Sequence, residues 1–448
     1  MIAAGILFSG CADERATGWL PSARAASAPR TPAAAPAPAD EARPAIVDVT
    51  GVIATDLEEP VEGRMVVIVD ALGERREGVT DHAGAFAIDA VAAPYDLAVD
   101  GGDLGHLVFL GIRRADPRIE VPARRAPAPP SQRVRVALRA DACPPDGSVT
   151  IVTASPSGGG SATVACEGAS ADPILVEVQH AWRARSVSED ERIVVHVLAS
   201  DEARTSFAHA RAGEIPARPG ETADVGIVDP APIEAAGPFV FGAADGPLEG
   251  WAWTTEVFVD VTGTGSGFVL EEASAPQAIT RVPLVPGGSS RVVVSATHPR
   301  SDGRGGFHRW AQAWSGALGL SSAPPLLRVE AGPDVVWPEP DGEIGGARDG
   351  FAWRSTRRAL ATLAVADVAN SVLRFRVHTD GDEVPLRRLA LLGVPKLLSG
   401  DHVLELSTSE GQGVDDACSP DPATRRRRDD RGAPGGATSL RTFFRVTE

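Results

Sequence analysis

Apolar and polar residues alternate with a period of two along most of this chain. Val134, Val136 and Leu138 are interleaved with Arg135 and Arg139, and Ile174, Val176 and Val178 with Glu177 and Gln179. Val257, Val259 and Val261 flank Asp260, while Leu373, Phe375 and Val377 alternate with Arg374 and Arg376. Such a period places one side of each segment in a core and the other in water, the signature of antiparallel strands. Turn residues cut the pattern into strand-length pieces, with larger breaks near Pro230–Gly237 and Ala323–Pro325. The expected architecture is all-β: tandem antiparallel β-sandwich domains over 46–125, 132–230, 231–325 and 326–448, the last with a disordered loop at 415–437. The one helix candidate is Arg357–Asn370, where Leu360, Leu363 and Ala364 fit a helical stripe, although Leu363 and Val365 fit a strand nearly as well.

The first unit has further internal order. Short apolar runs at 46–55, 64–70, 77–80, 85–90 and 95–100 are separated by Gly, Pro and Asp turns. Gly51-Val52-Ile53, Pro60-Val61-Glu62-Gly63, Val67-Ile68-Val69, Thr80-Asp81-His82-Ala83-Gly84-Ala85-Phe86 and Tyr95-Asp96-Leu97-Ala98-Val99 follow one another in an order that resembles the carboxypeptidase regulatory-like domain. The resemblance implies a transthyretin-like β-sandwich over 46–125 with a structural or carbohydrate-binding-like role. In these residues Asp81 and Gly84 make a tight turn, Phe86 enters the core, and Tyr95 starts the last alternating strand. The final unit, with Phe351-Ala352-Trp353, a strand over His402–Ser407 and the terminal Arg441–Val446, looks like the Ig or fibronectin-like module of large bacterial lipoproteins.

Length and composition narrow the partners. At 448 residues the chain exceeds one core and fits two to four domains. A net charge of −17 sets its surface against nucleic acid and anionic membranes, so no nucleic-acid role is expected.

The N-terminus carries a targeting signal. Apolar Met1–Phe8 runs into Ser9-Gly10-Cys11, which resembles the lipobox of bacterial lipoprotein signal peptides, with Phe8 where Leu is usual and no basic stretch before it. The resemblance makes residues 1–11 the signal and lipobox, Cys11 the acylated residue, and the lipid the link to a membrane. Residues 12–45, with Pro29, Pro32, Pro36 and Pro38, read as a disordered tether. The expected location is the cell envelope, at the outer membrane or cell surface. Cys143 and Cys166 bracket two apolar runs joined by Ser155–Ser161, read as a hairpin loop, and are expected to close its base as a disulfide; two buried thiols are the competing reading. Cys418 has no evident partner and sits in a polar stretch. These cysteines lack the close spacing of a zinc site.

No nucleophile elbow, phosphate loop, dinucleotide fingerprint or HExxH stands in the chain, and no catalytic residue, metal or cofactor is assigned. His402-Val403-Leu404-Glu405 has the His-x-x-Glu form of a metallocarboxypeptidase ligand pair, but no His follows it, and Val403, Leu404 and Leu406 mark a strand. Asp380, Asp382 and Glu383, or Asp415 and Asp416, have the chemistry of a calcium loop without its ligand density. Trp251 and Trp253 share a strand face and are the candidate ligand contacts, with core packing as the competing reading; Trp310 and Trp314 are expected to align only on a helix or irregular turn. Arg425–Arg428 form a basic run available to an acidic partner. The expected function is non-enzymatic: a lipoprotein whose sandwiches serve structural roles or bind a protein or polysaccharide. The alternative is a carbohydrate-binding adhesin-like protein.

Overall fold

A computed structural model describes residues 44–447, less 56–57, 103–104, 122–129, 167–172, 183–186, 189, 243–249, 262–266, 270–276, 300–306, 316, 320–326, 328, 330–331, 340, 345–349, 356–358, 411 and 421–434. Cys11, residues 12–43 of the tether and Arg425–Arg428 lie outside the described residues, and the tether's expected last residue, Ala45, instead begins a strand. The body is nearly all β.

The first module pairs Ala85–Ala93, Ala45–Thr55 and Arg118–Val121 in one sheet, the last two strands running parallel. Opposite it lie Arg75–Val79, Met65–Val69, Tyr95–Asp100 and His106–Ile112. Val49, Ile53, Phe86 and Ile88 from one layer meet Ile68, Leu97, Leu107 and Phe109 from the other. The turn before Phe86 is built as its residues require: Asp81 Oδ1 accepts hydrogen bonds from the amides of Ala83 and Ala85, and Gly84 sits at φ +73°. Tyr95 does not start the last strand. Two more follow, His106–Ile112 and Arg118–Val121. The first of these is almost continuously apolar because both of its faces are buried.

That second burial comes from the far end of the chain. Phe375–Thr379 pairs in parallel with His106–Leu110, so the first module's sheet continues into the last module's. From there it runs through Leu373–Thr379, Leu360–Asp367, Gly400–Ser409 and Gly435–Val446 to Phe307–Trp314, Ser289–Pro299, Ala252–Asp260 and Gly267–Val269. Val67, Ala98, Val108 and Leu110 of the first module pack against Phe351, Trp353, Val384 and Leu389 of the last. Successive residues of Val66–Val69 therefore serve two cores, Val66 and Ile68 one, Val67 and Val69 the other.

The second module is one eight-stranded sheet, in the order Thr222–Val228, Ser131–Leu138, Ile174–Trp182, Gly158–Ala165, Ser148–Ser155, Arg192–Ser200, Phe207–Pro216, Ala231–Ile233. Its inward residues, among them Val134, Val136, Ile151, Val178 and Val195, share one core. On its other face Val152 and Leu198 pack against third-module residues that include Trp253, Val257 and Val292.

Four local expectations are corrected. Leu360–Asp367 is a strand, and no helix spans Arg357–Asn370: the strand pairs on both sides and buries Leu360, Leu363 and Val365. Ser155–Ser161 is not one loop, since Gly158–Ala165 is a strand and Pro156-Ser157 alone turns the hairpin. Backbone crowds two of its glycines: a Cβ on Gly158 would lie 2.6 Å from Ala181 O, and one on Gly160 2.1 Å from Gln179 O. Trp310 and Trp314 sit on the strand Phe307–Trp314, where an even spacing gives them a common face opposite buried Ala311 and Ala313. The span 415–437 is ordered at both ends, as the helix Val414–Ala417 and the strand from Gly435.

Candidate functional site

A polar cluster lies at one end of the second module. Thr153 and Ser155 are two apart on Ser148–Ser155 and so share a face, and His180 comes to it from Ile174–Trp182. His180 is fully buried. Its Nδ1 is 3.1 Å from Thr153 Oγ1 and its Nε2 3.1 Å from Ser155 Oγ. The Thr153 hydroxyl donates to Gly160 O, so it accepts from Nδ1–H. Nε2 is then the bare nitrogen and accepts the Ser155 hydroxyl. Beside them, the Glu191 carboxylate accepts from Ser157 Oγ at 2.7 Å and from Trp182 Nε1 at 3.1 Å. Burial pushes the Glu191 pKa up, but the donors around it, Ser157 and Trp182 among them, outweigh it and hold the carboxyl below its ordinary value.

Ser155 also borders a cleft of about 340 Å³ between the second and third modules. Arg192, His196 and Arg211 line it on one side, Val261 and Pro286 on the other. His196 Nδ1 lies 3.1 Å from His209 Nε2, and the two rings stack at 5.4 Å. Burial lowers the His196 pKa to about 4, with His209 and Arg211 adding to the effect, and burial lowers His209 as well.

A serine hydrogen-bonded to an unprotonated imidazole is the geometry of an activated nucleophile. Two features weaken that chemistry. Burial takes the His180 pKa down to about 4, against the near-neutral value that suits a general base, even though Glu191 raises it. The Nδ1 partner is a neutral hydroxyl, which does not stabilise an imidazolium as a carboxylate would.

The sequence did not single out these residues, because three histidines on three strands have no motif. A signal was present: His180 continues the inward series Val176, Val178, and a polar residue at an inward position marks a buried hydrogen-bond network.

The residues that the sequence did single out are dispersed. Cys143 and Cys166 are bonded, with Cα atoms 5.6 Å apart, at the base of the hairpin Ser148–Ala165. Trp253 is buried in the third-module core, and Trp251 is half-buried with its ring edge-on to His298 at 5.7 Å, so the pair offers no open stacking surface. His402 is buried and Glu405 exposed on one strand, three apart and on opposite faces, so they do not converge on a metal. Asp415 Oδ1 accepts from the amides of Arg113 and Arg114, and Asp380 Oδ1 from that of Val414; these carboxylates fasten the C-terminal segment to neighbouring backbone. Cys418 is not in a polar loop but fully buried beside the first-module core, its thiol donating to Val414 O. Among the described residues no group of three or more His, Cys, Asp or Glu is gathered as a metal site, and no helix is long and apolar enough to cross a membrane.

No protein-family model matches the chain, and no curated protein matches it. Among solved structures, the TIE protein of Bacillus anthracis is 7% identical over 56% of this chain, with a TM-score of 0.15. This chain covers 45% of that protein's length. The full-length major pilin SpaD of Corynebacterium diphtheriae is 9% identical over 57% of this chain and 88% of its own, with a TM-score of 0.15. A tetra-tandem repeat from the extending region of a large adhesion protein is 11% identical over 88% of this chain and 99% of its own, with a TM-score of 0.13. At this identity and TM-score these likenesses carry no conclusion about this chain.

Proposed function

We propose that this chain is a non-catalytic module of a bacterial cell envelope, held at the outer membrane or cell surface by a lipid on Cys11 and presenting its sandwiches to a protein or polysaccharide partner. The observation that carries the non-catalytic reading is the state of Ser155, His180 and Glu191. Each is hydrogen-bonded within the second module, His180 is sealed from solvent, and its pKa near 4 makes it a weak base. The carboxypeptidase regulatory-like resemblance of 46–125 supports an accessory role. The anchor is supported by Ser9-Gly10-Cys11 and the proline-rich stretch after it.

Metabolic labelling with an alkyne-bearing palmitate, in a bacterium that processes lipoproteins, tests the anchor. The full chain should carry the label and sediment with membranes, and the Cys11→Ser variant should do neither. An unlabelled wild-type chain would remove the anchor from this reading. Glycan-array and pull-down experiments on the full chain address the partner. A specific sugar would favour the adhesin-like alternative, with a contact surface other than the Trp251–Trp253 pair.

One observation favours a second reading, a Ser155 hydrolase: the hydroxyl meets a bare imidazole nitrogen at the edge of a cleft. A fluorophosphonate probe separates the two. Ser155 should stay unmodified; stoichiometric labelling that disappears in Ser155→Ala and His180→Gln would establish the hydrolase instead.

A further inference from the structure

The last module contains a second cavity, of about 320 Å³, away from the intermodule cleft. Ile344, Phe375, Leu389 and Val394, all buried, form its base, and the partly buried Leu386 and Leu397 its sides. The short helix Leu386–Leu391 borders it. That helix is fastened from behind, where Arg388 pairs with Asp96 and Arg75 Nε donates to Leu391 O at 2.9 Å. The chain then reverses through Gly393, at φ +80°, and returns along Val394–Leu397. The cavity is thus walled by segments anchored to the first module, a preformed site rather than a gap that side chains can fill by relaxing.

Two cations stand at this apolar space. Arg387 and Lys396 both line it and both are exposed, and among the described residues neither has a hydrogen-bond or ion-pair partner. Neighbouring arginines behave differently: Arg388, Arg374 and Arg445 each hold a carboxylate. Lys396 is the only lysine in a chain with 60 acidic residues against 43 basic ones. In so acidic a protein, two cations beside the same apolar space with no carboxylate partner among the described residues stand apart from the paired arginines around them. Solvated surface cations are common, and long basic side chains often cover apolar surface with their stems. That accounts for one such residue more easily than for two flanking one cavity.

We propose that this cavity binds an unbranched alkyl carboxylate, with the chain lying on Phe375, Leu389 and Val394 and the head group between Arg387 and Lys396. An acyl tail matches the apolar lining, and a carboxylate matches the guanidinium fork and the ammonium. The volume is at the small end of the roughly 300–1,000 Å³ usual for ligand sites, which suits one chain and not a two-chain lipid.

Calorimetric titration of the full chain with dodecanoate, and separately with dodecyltrimethylammonium, tests this. Dodecanoate should bind one to one and the cation should not. Arg387→Gln with Lys396→Gln should weaken dodecanoate binding at least ten-fold at unchanged thermal stability. Ala390→Trp, which fills the cavity from the helix, should abolish it. The lone lysine gives an independent reading, since bound dodecanoate should slow acetylation of Lys396 by an amine-reactive ester, followed by mass spectrometry. Equal binding of the two surfactants, unchanged affinity in the charge variants, or no binding below the concentration at which dodecanoate forms micelles would each overturn the proposal. If Ala390→Trp fails to fold, the charge variants and the acetylation rate still decide it.

Discussion

Arg388 grips Asp96 across 292 residues of sequence, with Nη2 2.6 Å from Oδ1 and Nε on Oδ2. The Asp96 side chain is 7% exposed and accepts one further bond, from the Gly111 amide. Arg388→Ala therefore leaves a nearly buried carboxylate under-satisfied. Because the guanidinium itself is partly in water, the expected loss is about 2 kcal/mol, read as a lower urea midpoint. Combining Arg388→Ala with Asp96→Asn should cost less than the two single losses together. Strict additivity would show that the pair does not couple the modules.

The disulfide closes a loop with a sequence separation of 23. Replacing Cys143 and Cys166 by Ala should lower stability by about 3 kcal/mol in the chain-entropy model, and non-reducing peptide mapping should recover the two cysteines in one linked peptide. A variant as stable as the wild type would mean that the hairpin needs no covalent closure.

Cys418 tests how tightly the C-terminal segment is held beneath the first module. Burial pushes its thiol pKa up to about 12, and the residue has no exposed surface. Iodoacetamide at pH 8 should leave it unmodified in the folded chain and alkylate it fully in guanidinium. Fast alkylation without denaturant would show that Val414–Ala417 leaves its site readily.

His180 and His196 make the second module sensitive to acid. Both pKa values are lowered to about 4, below the ordinary 6.5 that the unfolded chain has, so the unfolded state takes up protons first as pH falls. Stability should be complete above pH 6.5 and decline from there toward pH 4, by roughly 3 kcal/mol for each fully protected imidazole. Denaturant midpoints at pH 7.5, 5.5 and 4 should record the decline. His196→Gln should flatten the profile, and an unchanged slope would place the acid sensitivity elsewhere.

Gly160 tests the crowding around His180. With a Cβ 2.1 Å from Gln179 O, Gly160→Ala must push neighbouring strands away from each other and should destabilise by about 1–3 kcal/mol. A shift in Trp182 fluorescence should accompany it, because Trp182 lies on the displaced strand. A neutral effect would mean that the strands separate at little cost.

The sequence made the β character legible wherever one face of a strand meets water. Val134, Val136 and Leu138 alternate with arginines and point inward as that spacing implies. Legibility failed where both faces are covered. Leu107–Leu110 has no polar phase, because Leu107 and Phe109 enter one core and Val108 and Leu110 another, so its strand passed unnoticed. The pairing of His106–Leu110 with Phe375–Thr379 leaves no local trace, since nothing in either segment names a partner so far away. The polar cluster was hidden for the same reason: Ser155, His180 and Glu191 each read as ordinary positions until two strands and the connection before a third bring them together.

The parallel seam between residues 106–110 and 375–379 has a consequence for biosynthesis. A ribosome delivers the first of these strands long before the second, and meanwhile its backbone edge and the apolar side chains of Val67, Ala98 and Val108 have nothing to cover them. Unpaired edges of this kind recruit other chains. A chain that ends anywhere in the second or third module would thus carry an open strand edge and an uncovered apolar face that its last module normally closes.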